Sequence, residues 1–145
     1  MKLKHLTTSA LALILIAGCG DDATGVDADD IAGTWTATAI VFTQTAAPMT
    51  VVDIVDEGAS LTLLLGADGS YTFTFTSPDE NEVETGTYSV SGSTITLTET
   101  GSTQIETFEI SRDENTMTLT DDDDMFEFDE QAGEEAAGVV ITLTR

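Results

Sequence analysis

Positive charge, histidine and cysteine are almost missing from this chain. Its 145 residues include four Lys and Arg together, one His, one Cys, one Trp and two Pro. Lys2, Lys4 and His5 all fall in the first five positions, so beyond Cys19 the only basic side chains are Arg112 and Arg145. With no His, no Lys and no second thiol there, Ser–His, Cys–His and Schiff-base catalysis are excluded, as are His-ligated zinc and copper. No glycine-rich phosphate loop is present. Contact with a phosphate backbone needs cations, so nucleic acid is not an expected partner. Long hydrophobic runs are also missing. The one apolar stretch, centred on residues 10–17, falls short of the roughly 20 apolar residues that span a bilayer comfortably. No catalytic residue, metal or cofactor is expected.

What is present begins with the layout of an export signal: a basic start (Met1 to His5), an apolar run, and a small-residue exit at Gly18, with no acid before Asp21. Ile16-Ala17-Gly18-Cys19 then resembles the lipobox of bacterial lipoproteins, in which an aliphatic residue and two small residues precede the cysteine. The resemblance implies cleavage before Cys19, a diacylglyceryl thioether on its sulfur, and acylation of the new amine. Several acyl chains, each contributing about 0.8 kcal/mol per buried CH₂, hold a protein on a membrane where one chain does not. The expected partner is thus a membrane, reached through acyl chains on Cys19. The expected place is the bacterial cell envelope, lipid-anchored on the outer membrane, at its periplasmic or surface face.

Residues 1–18 therefore read as a signal peptide and 19–30 as the lipidated cysteine with an acidic tether. The sequence GDDATGVDADD (Gly20 to Asp30) is poor in large apolar residues and is expected to be disordered. After cleavage the chain would carry two arginines against 27 acids, a net charge of −25. Such acidity keeps a surface solvated and non-adhesive.

From Ile31 to Arg145 the pattern alternates with period two. Tyr71-Thr-Phe73-Thr-Phe75, Thr94-Ile95-Thr96-Leu97-Thr98, Met117-Thr118-Leu119-Thr120 and Val139 to Arg145 each place apolar side chains on one face and hydroxyls on the other. That suits an antiparallel sheet with one wet face. Turn signals separate the runs: Asp68-Gly69, Ser91-Gly92-Ser93, Thr100-Gly101-Ser102 and the segment Arg112 to Asn115. Strands are expected at 34–43, 60–65, 71–77, 83–90, 94–99, 104–111, 116–120, 125–128 and 139–145. The fold class is all-β, an antiparallel up-and-down meander closed into a roughly eight-stranded barrel, because closure removes both sheet edges. A two-sheet β-sandwich is the alternative.

The start of this domain, DIAGTW (Asp30 to Trp35), resembles that of the calycins, the lipocalins and their fatty-acid-binding relatives. The match is Gly33 and Trp35 of Gly-x-Trp on the first strand, and GTYSVSGSTITLT (Gly86 to Thr98) resembles a middle hairpin of bacterial lipocalin-like lipoproteins. The resemblance implies a lipocalin-like barrel over residues 31–145 and an arginine at the last strand packed over the tryptophan at the closed end. Arg145 matches that place and shares a face with Val139, Ile141 and Leu143. Gly33, Trp35 and Arg145 are the expected structural set, the arginine and indole forming a cation–π pair.

A barrel of eight strands holds packed side chains or one small ligand. Trp35, Ala37, Ala39 and Val41 fall on one face of the first strand and would leave room inside. Trp35, Tyr71, Phe73, Phe75 and Tyr88 are the candidate lining of a site for a small apolar or amphipathic ligand, and they serve equally as solid core. The connection Gln44 to Ala59 would cross the mouth as a lid, through Met49, Val51, Val52 and Ile54, or form an ordinary strand after a Pro48 turn. The carboxylate pairs Asp79/Glu80 and Glu82/Glu84 sit in a polar segment and read as solvated surface. Asp121 to Asp124 offers oxygen ligands suited to calcium but lacks EF-hand spacing, and with Asp129 to Gly138 it reads as a pair of exposed loops at one rim. Two functions remain in view. One is a membrane-anchored binder, which should contain an apolar cavity of roughly 300 Å³ or more. The other is a structural or interaction module of the envelope with no pocket. A Cys19→Ser variant is expected to move from the membrane fraction to the soluble fraction, measured by fractionation of expressing cells.

Overall fold

In the computed structural model, residues 26–46, 49–129 and 133–145 are described. The signal-peptide and lipidation readings, and the Pro48 turn, lie outside those residues. Among them the chain forms a short helix, α1 (Ala28–Ile31), and nine strands: β1 (Gly33–Gln44), β2 (Val51–Asp53), β3 (Ser60–Leu65), β4 (Ser70–Thr76), β5 (Asn81–Ser91), β6 (Thr94–Glu99), β7 (Ile105–Asp113), β8 (Thr116–Phe126) and β9 (Glu135–Thr144). Each strand from β3 to β9 pairs antiparallel with the next, and β9 returns to β1. Eight strands thus close into a barrel, with β2 as an additional strand beside the end of β1. The sandwich alternative is set aside, because the β1–β9 ladder joins the two ends of one sheet.

The alternation read from the sequence generates this wall. Leu61, Leu63 and Leu65 on β3 stand opposite Phe75, Phe73 and Tyr71 on β4, all toward the interior. Thr62, Thr72, Thr74 and Thr76 occupy the other parity, together with the exposed Leu64. The β3–β4 turn is built by Asp68 and Gly69. Gly69 has φ +82°, which favours glycine, and the Asp68 carboxylate accepts the Ser70 N–H at 3.0 Å. The Ser70 hydroxyl donates to the same carboxylate at 2.5 Å, and these two bonds, the hydroxyl's first, hold the Asp68 carboxyl below the usual carboxylate range. At Gly86 the reason is close approach: a Cβ there would lie 2.6 Å from the Tyr71 ring and closer still to the Thr98 carbonyl.

One irregularity decides what fills the barrel. The β1–β9 register shifts between Ala37 and Ala39, so Thr38 is an extra residue in β1. Before the bulge Trp35 points inward; after it the inward residues are Ile40 and Phe42. The expectation that Ala39 and Val41 share the face of Trp35 is therefore corrected: the bulge inverts the parity and puts two large side chains where small ones were expected. Past the bulge, β1 exchanges β3 for β2. The Asp53 carboxylate accepts the N–H groups of Ile40 (3.0 Å) and Val55 (3.1 Å), and Ile54 N–H donates to the Ile40 carbonyl (3.0 Å). Asp53 so satisfies backbone donors that the change of neighbour would strand.

The closed end gathers α1, Trp35 and Arg145. The segment 26–30, read above as tether, belongs to the domain. Val26 N–H donates to the Gly92 carbonyl at 3.1 Å and its side chain packs on the core; Ile31 is fully buried. Composition pointed to disorder because five of the eleven residues from Gly20 to Asp30 are aspartate, and the two anchors, Val26 and Ile31, flank the acids. The fully buried Trp35 donates from Nε1 to the Ile31 carbonyl at 2.7 Å. The Arg145 guanidinium carbon lies 4.6 Å from the indole centroid, and its Nη1 donates to the Ala32 carbonyl at 3.3 Å. Gly33, at φ +140°, brings the backbone close to that guanidinium.

Two further readings change. The strands expected at 116–120 and 125–128 are one strand, β8, whose register to β9 shifts between Asp121 and Asp124. The four aspartates are strand residues at a bulge, not a loop, because the irregular ladder absorbs the polar run without ending it. Residues 135–138 of the second acidic segment likewise belong to β9. Trp35→Ala is expected to cost about 3–5 kcal/mol and Arg145→Ala about 0.5–1 kcal/mol, read from urea unfolding midpoints at constant slope.

Candidate functional site

The half of the barrel away from Trp35 contains a cavity of about 140 Å³. Its apolar wall includes Ile40, Phe42, Leu61, Tyr71, Phe73 and Phe75. Its other wall is acidic: Glu82, Glu84, Glu99, Glu106 and Asp124, with Gln104. A second cavity of about 180 Å³ lies beside it toward the rim, lined by Ala59, Pro78, Phe126 and Glu134 among others. Ile54, Phe75 and Met125 line both, so they form the partition between them.

Register explains how carboxylates reach the interior. On β5 the residues that share a face with buried Tyr88 are Gly86, Glu84 and Glu82. Pairing sets Glu84 beside Phe73 and Glu82 beside Phe75. On β6, Glu99 follows Ile95 and Leu97; on β7, Glu106 precedes Phe108 and Ile110, and Gln104 stands just before the strand. Glu106 stands opposite Leu97. The reading of Glu82 and Glu84 as solvated surface is therefore corrected: both line the cavity, because strand parity continues to the rim irrespective of polarity.

A family model described as a lipocalin-like domain matches residues 31–119. The chain belongs to the lipocalin-like domain family. No curated protein sequence matches it. The fold of this family is generally a binding fold and not a catalytic one, which agrees with a closed barrel holding an interior cavity.

Within this lipocalin-like barrel, the candidate ligand residues divide. Tyr71, Phe73 and Phe75 line the cavity. Trp35 and Tyr88 do not; they belong to the closed end. The Tyr88 hydroxyl donates to the Gly66 carbonyl at 2.9 Å, tying β5 to the turn after β3, and the Ala28 carbonyl is 3.4 Å away. Of the four residues offered as a lid, only Ile54 lines the cavity, and Val52 packs half-buried on the core. Ile54 is buried against the cavity, while Met49 and Val51 are exposed and β2 extends the wall instead of crossing the mouth. Met125, Glu99 and Glu106 went unremarked in the sequence, and Glu82, Glu84 and Asp124 were read as exposed, although counting by twos from Tyr88, Leu97 and Phe108 reaches Glu84, Glu99 and Glu106.

The acids act on one another. Burial, followed by Glu84, Asp124, Glu99 and Glu82, pushes the Glu106 carboxyl up to about 7. Burial and then Asp121 raise Asp124, although the Met125 N–H bond opposes this. Burial, followed by Glu84, Glu106 and Glu99, pushes the Tyr71 hydroxyl up to about 12. Among the described residues no group of three or more His, Cys, Asp or Glu is arranged to hold a metal ion.

A carboxyl raised in the folded state retains its proton better there than in the unfolded chain. Its contribution to stability is therefore greatest below about pH 4.5 and declines as pH rises toward 7. Glu106→Gln is expected to melt several degrees above the parent at pH 8, with the difference vanishing near pH 4, in thermal scans across pH.

Proposed function

We propose that this protein is a lipid-anchored binding module of a bacterial cell envelope, without catalytic activity, holding a small apolar or amphipathic molecule in the mouth half of its barrel. The observation that carries the binding reading is the 140 Å³ cavity with one aromatic and one polar wall in a lipocalin-like fold. An engineered apolar cavity of about 150 Å³ accepts benzene, which sets the size of the apolar part. Anchoring rests on the lipobox-like Ile16 to Cys19. Val26 enters the domain beside Gly92 at the closed end. Seven residues from Cys19 to Val26 reach at most about 25 Å. An acylated Cys19 would therefore hold the closed end near the membrane and leave the mouth turned away from it.

The second reading, an envelope module with no ligand, draws on the volumes. Ile40 and Phe42 fill space that small residues would have left, and each cavity is below the roughly 300 Å³ of a drug-sized site. Mass spectrometry of small molecules released from the purified full chain separates the two. A stoichiometric organic molecule that disappears in Leu97→Phe, which fills the cavity, is the expected result. An empty parent with no difference between the two proteins supports the ligand-free module.

A further inference from the structure

Charge is distributed unevenly along the axis of this barrel. At the closed end stand the two arginines of the described residues, Arg145 on Trp35 and Arg112 4.0 Å from Asp30. At the mouth end Glu82, Glu84, Glu99, Glu106 and Asp124 converge from β5, β6, β7 and β8. These acids are not a feature of the general acidic surface. They occupy the parity that elsewhere on the same strands holds Tyr88, Leu97, Phe108 and Phe126, and each is only partly exposed. Phe73 and Phe75, whose faces also attract cations, stand beside Glu84 and Glu82 on the neighbouring strand.

We infer that the cavity selects a small organic cation, an amine or quaternary ammonium joined to an apolar group no larger than a phenyl ring, which rests against Phe73, Phe75 and Leu61 while its charge sits among Glu84, Glu99, Glu106 and Asp124. This rests on the binding reading above and names its ligand class. A neutral molecule of that shape gains the apolar contacts but leaves like charges facing one another. An anion adds a further negative charge to the cluster. A cation relieves the repulsion and meets carboxylates in a partly desolvated site, where charge interactions are stronger than in water. A bare metal ion is the less suitable cation, since most of the cavity lining is aromatic and aliphatic.

The electrostatics give the selection a pH signature. Glu106 faces Glu82 and Glu84 from β5, Glu99 from β6, Asp124 from β8 and Tyr71 from β4, and it retains its proton to about pH 7. The negative charge available to a cation therefore increases across neutral pH. A simple amine stays charged throughout that range, so its affinity should increase with it.

The test is isothermal titration of the full chain carrying Cys19→Ser with three probes of one shape: 2-phenylethylamine, 2-phenylethanol and phenylacetate. The amine is expected to bind at least about tenfold more tightly than the alcohol at pH 8, and phenylacetate not measurably. The preference should narrow severalfold at pH 5.5. Glu106→Gln should reduce amine affinity at pH 8 severalfold more than it changes alcohol affinity, with little change for the amine at pH 5.5. Alcohol binding equal to or tighter than amine binding, with Leu97→Phe abolishing both, overturns the cation preference and leaves the binding site standing. No heat from any probe, and identical melting temperatures with and without each, overturns the site and the preference together. Amine affinity unchanged by Glu106→Gln at pH 8 overturns the assignment of the charge to that cluster.

Discussion

Closure of the sheet through β1 is the constraint on which the rest depends. β1 bonds to β9 along one edge and to β3, then β2, along the other, so every neighbour in the barrel is fixed by how this strand runs. A closed ring of strands has a set circumference, and a strand that changes partner along its length must bend to do so. The bend is the bulge at Thr38. It keeps the ladder to β9 intact on both sides and hands the freed donors of Ile40 and Val55 to Asp53. The same event reverses which residues face inward. Trp35 therefore fills one end, and Ile40 and Phe42 form the floor of the other.

From that division the two ends acquire different chemistry. Around Trp35 the packing is dry and complete, with Ile31, Leu63, Leu65, Ile95, Met117 and Leu143 all essentially inaccessible. The indole N–H is satisfied by the Ile31 carbonyl, and a guanidinium covers the ring from outside. At the mouth the strands overhang the packed layer, and their last inward positions carry acids. Carboxylates there pay in desolvation and mutual repulsion, which the elevated Glu106 and Asp124 register directly. A barrel needing only stability would have little use for them. Their placement instead resembles other sites where local stability is surrendered to binding.

Lipid attachment at the N-terminal side would reinforce this polarity. The chain enters beside the β5–β6 turn at the closed end, and the acidic mouth is at the opposite pole. A strongly acidic body would be repelled by anionic head groups, so a short anchor at the far end and an open mouth facing outward are electrostatically consistent arrangements.

How much of this was legible follows from what each signal depends on. The all-β class, most strand positions, the hairpin turn at Asp68-Gly69 and the Gly33, Trp35, Arg145 grouping rest on local pattern: alternation, turn residues and a short motif carry their information within a few positions. The inward placing of Tyr71, Phe73 and Phe75 rests on the same alternation. The acidic wall was within reach by parity, yet Glu82 and Glu84 were read by polarity, a reading that fails where a strand outruns the core. The bulges at Thr38 and at Asp121 to Asp124, the role of Asp53 and the inclusion of Val26 had no local mark. What the sequence determined by itself was an alternating chain that must bury one face, since period two is enforced by the backbone of any strand. What only the tertiary structure decided was which face that is at each point along β1 and β8, and so what the cavity contains. Register shifts arise from matching one strand to two neighbours at once, and that requirement exists only when the ring is closed.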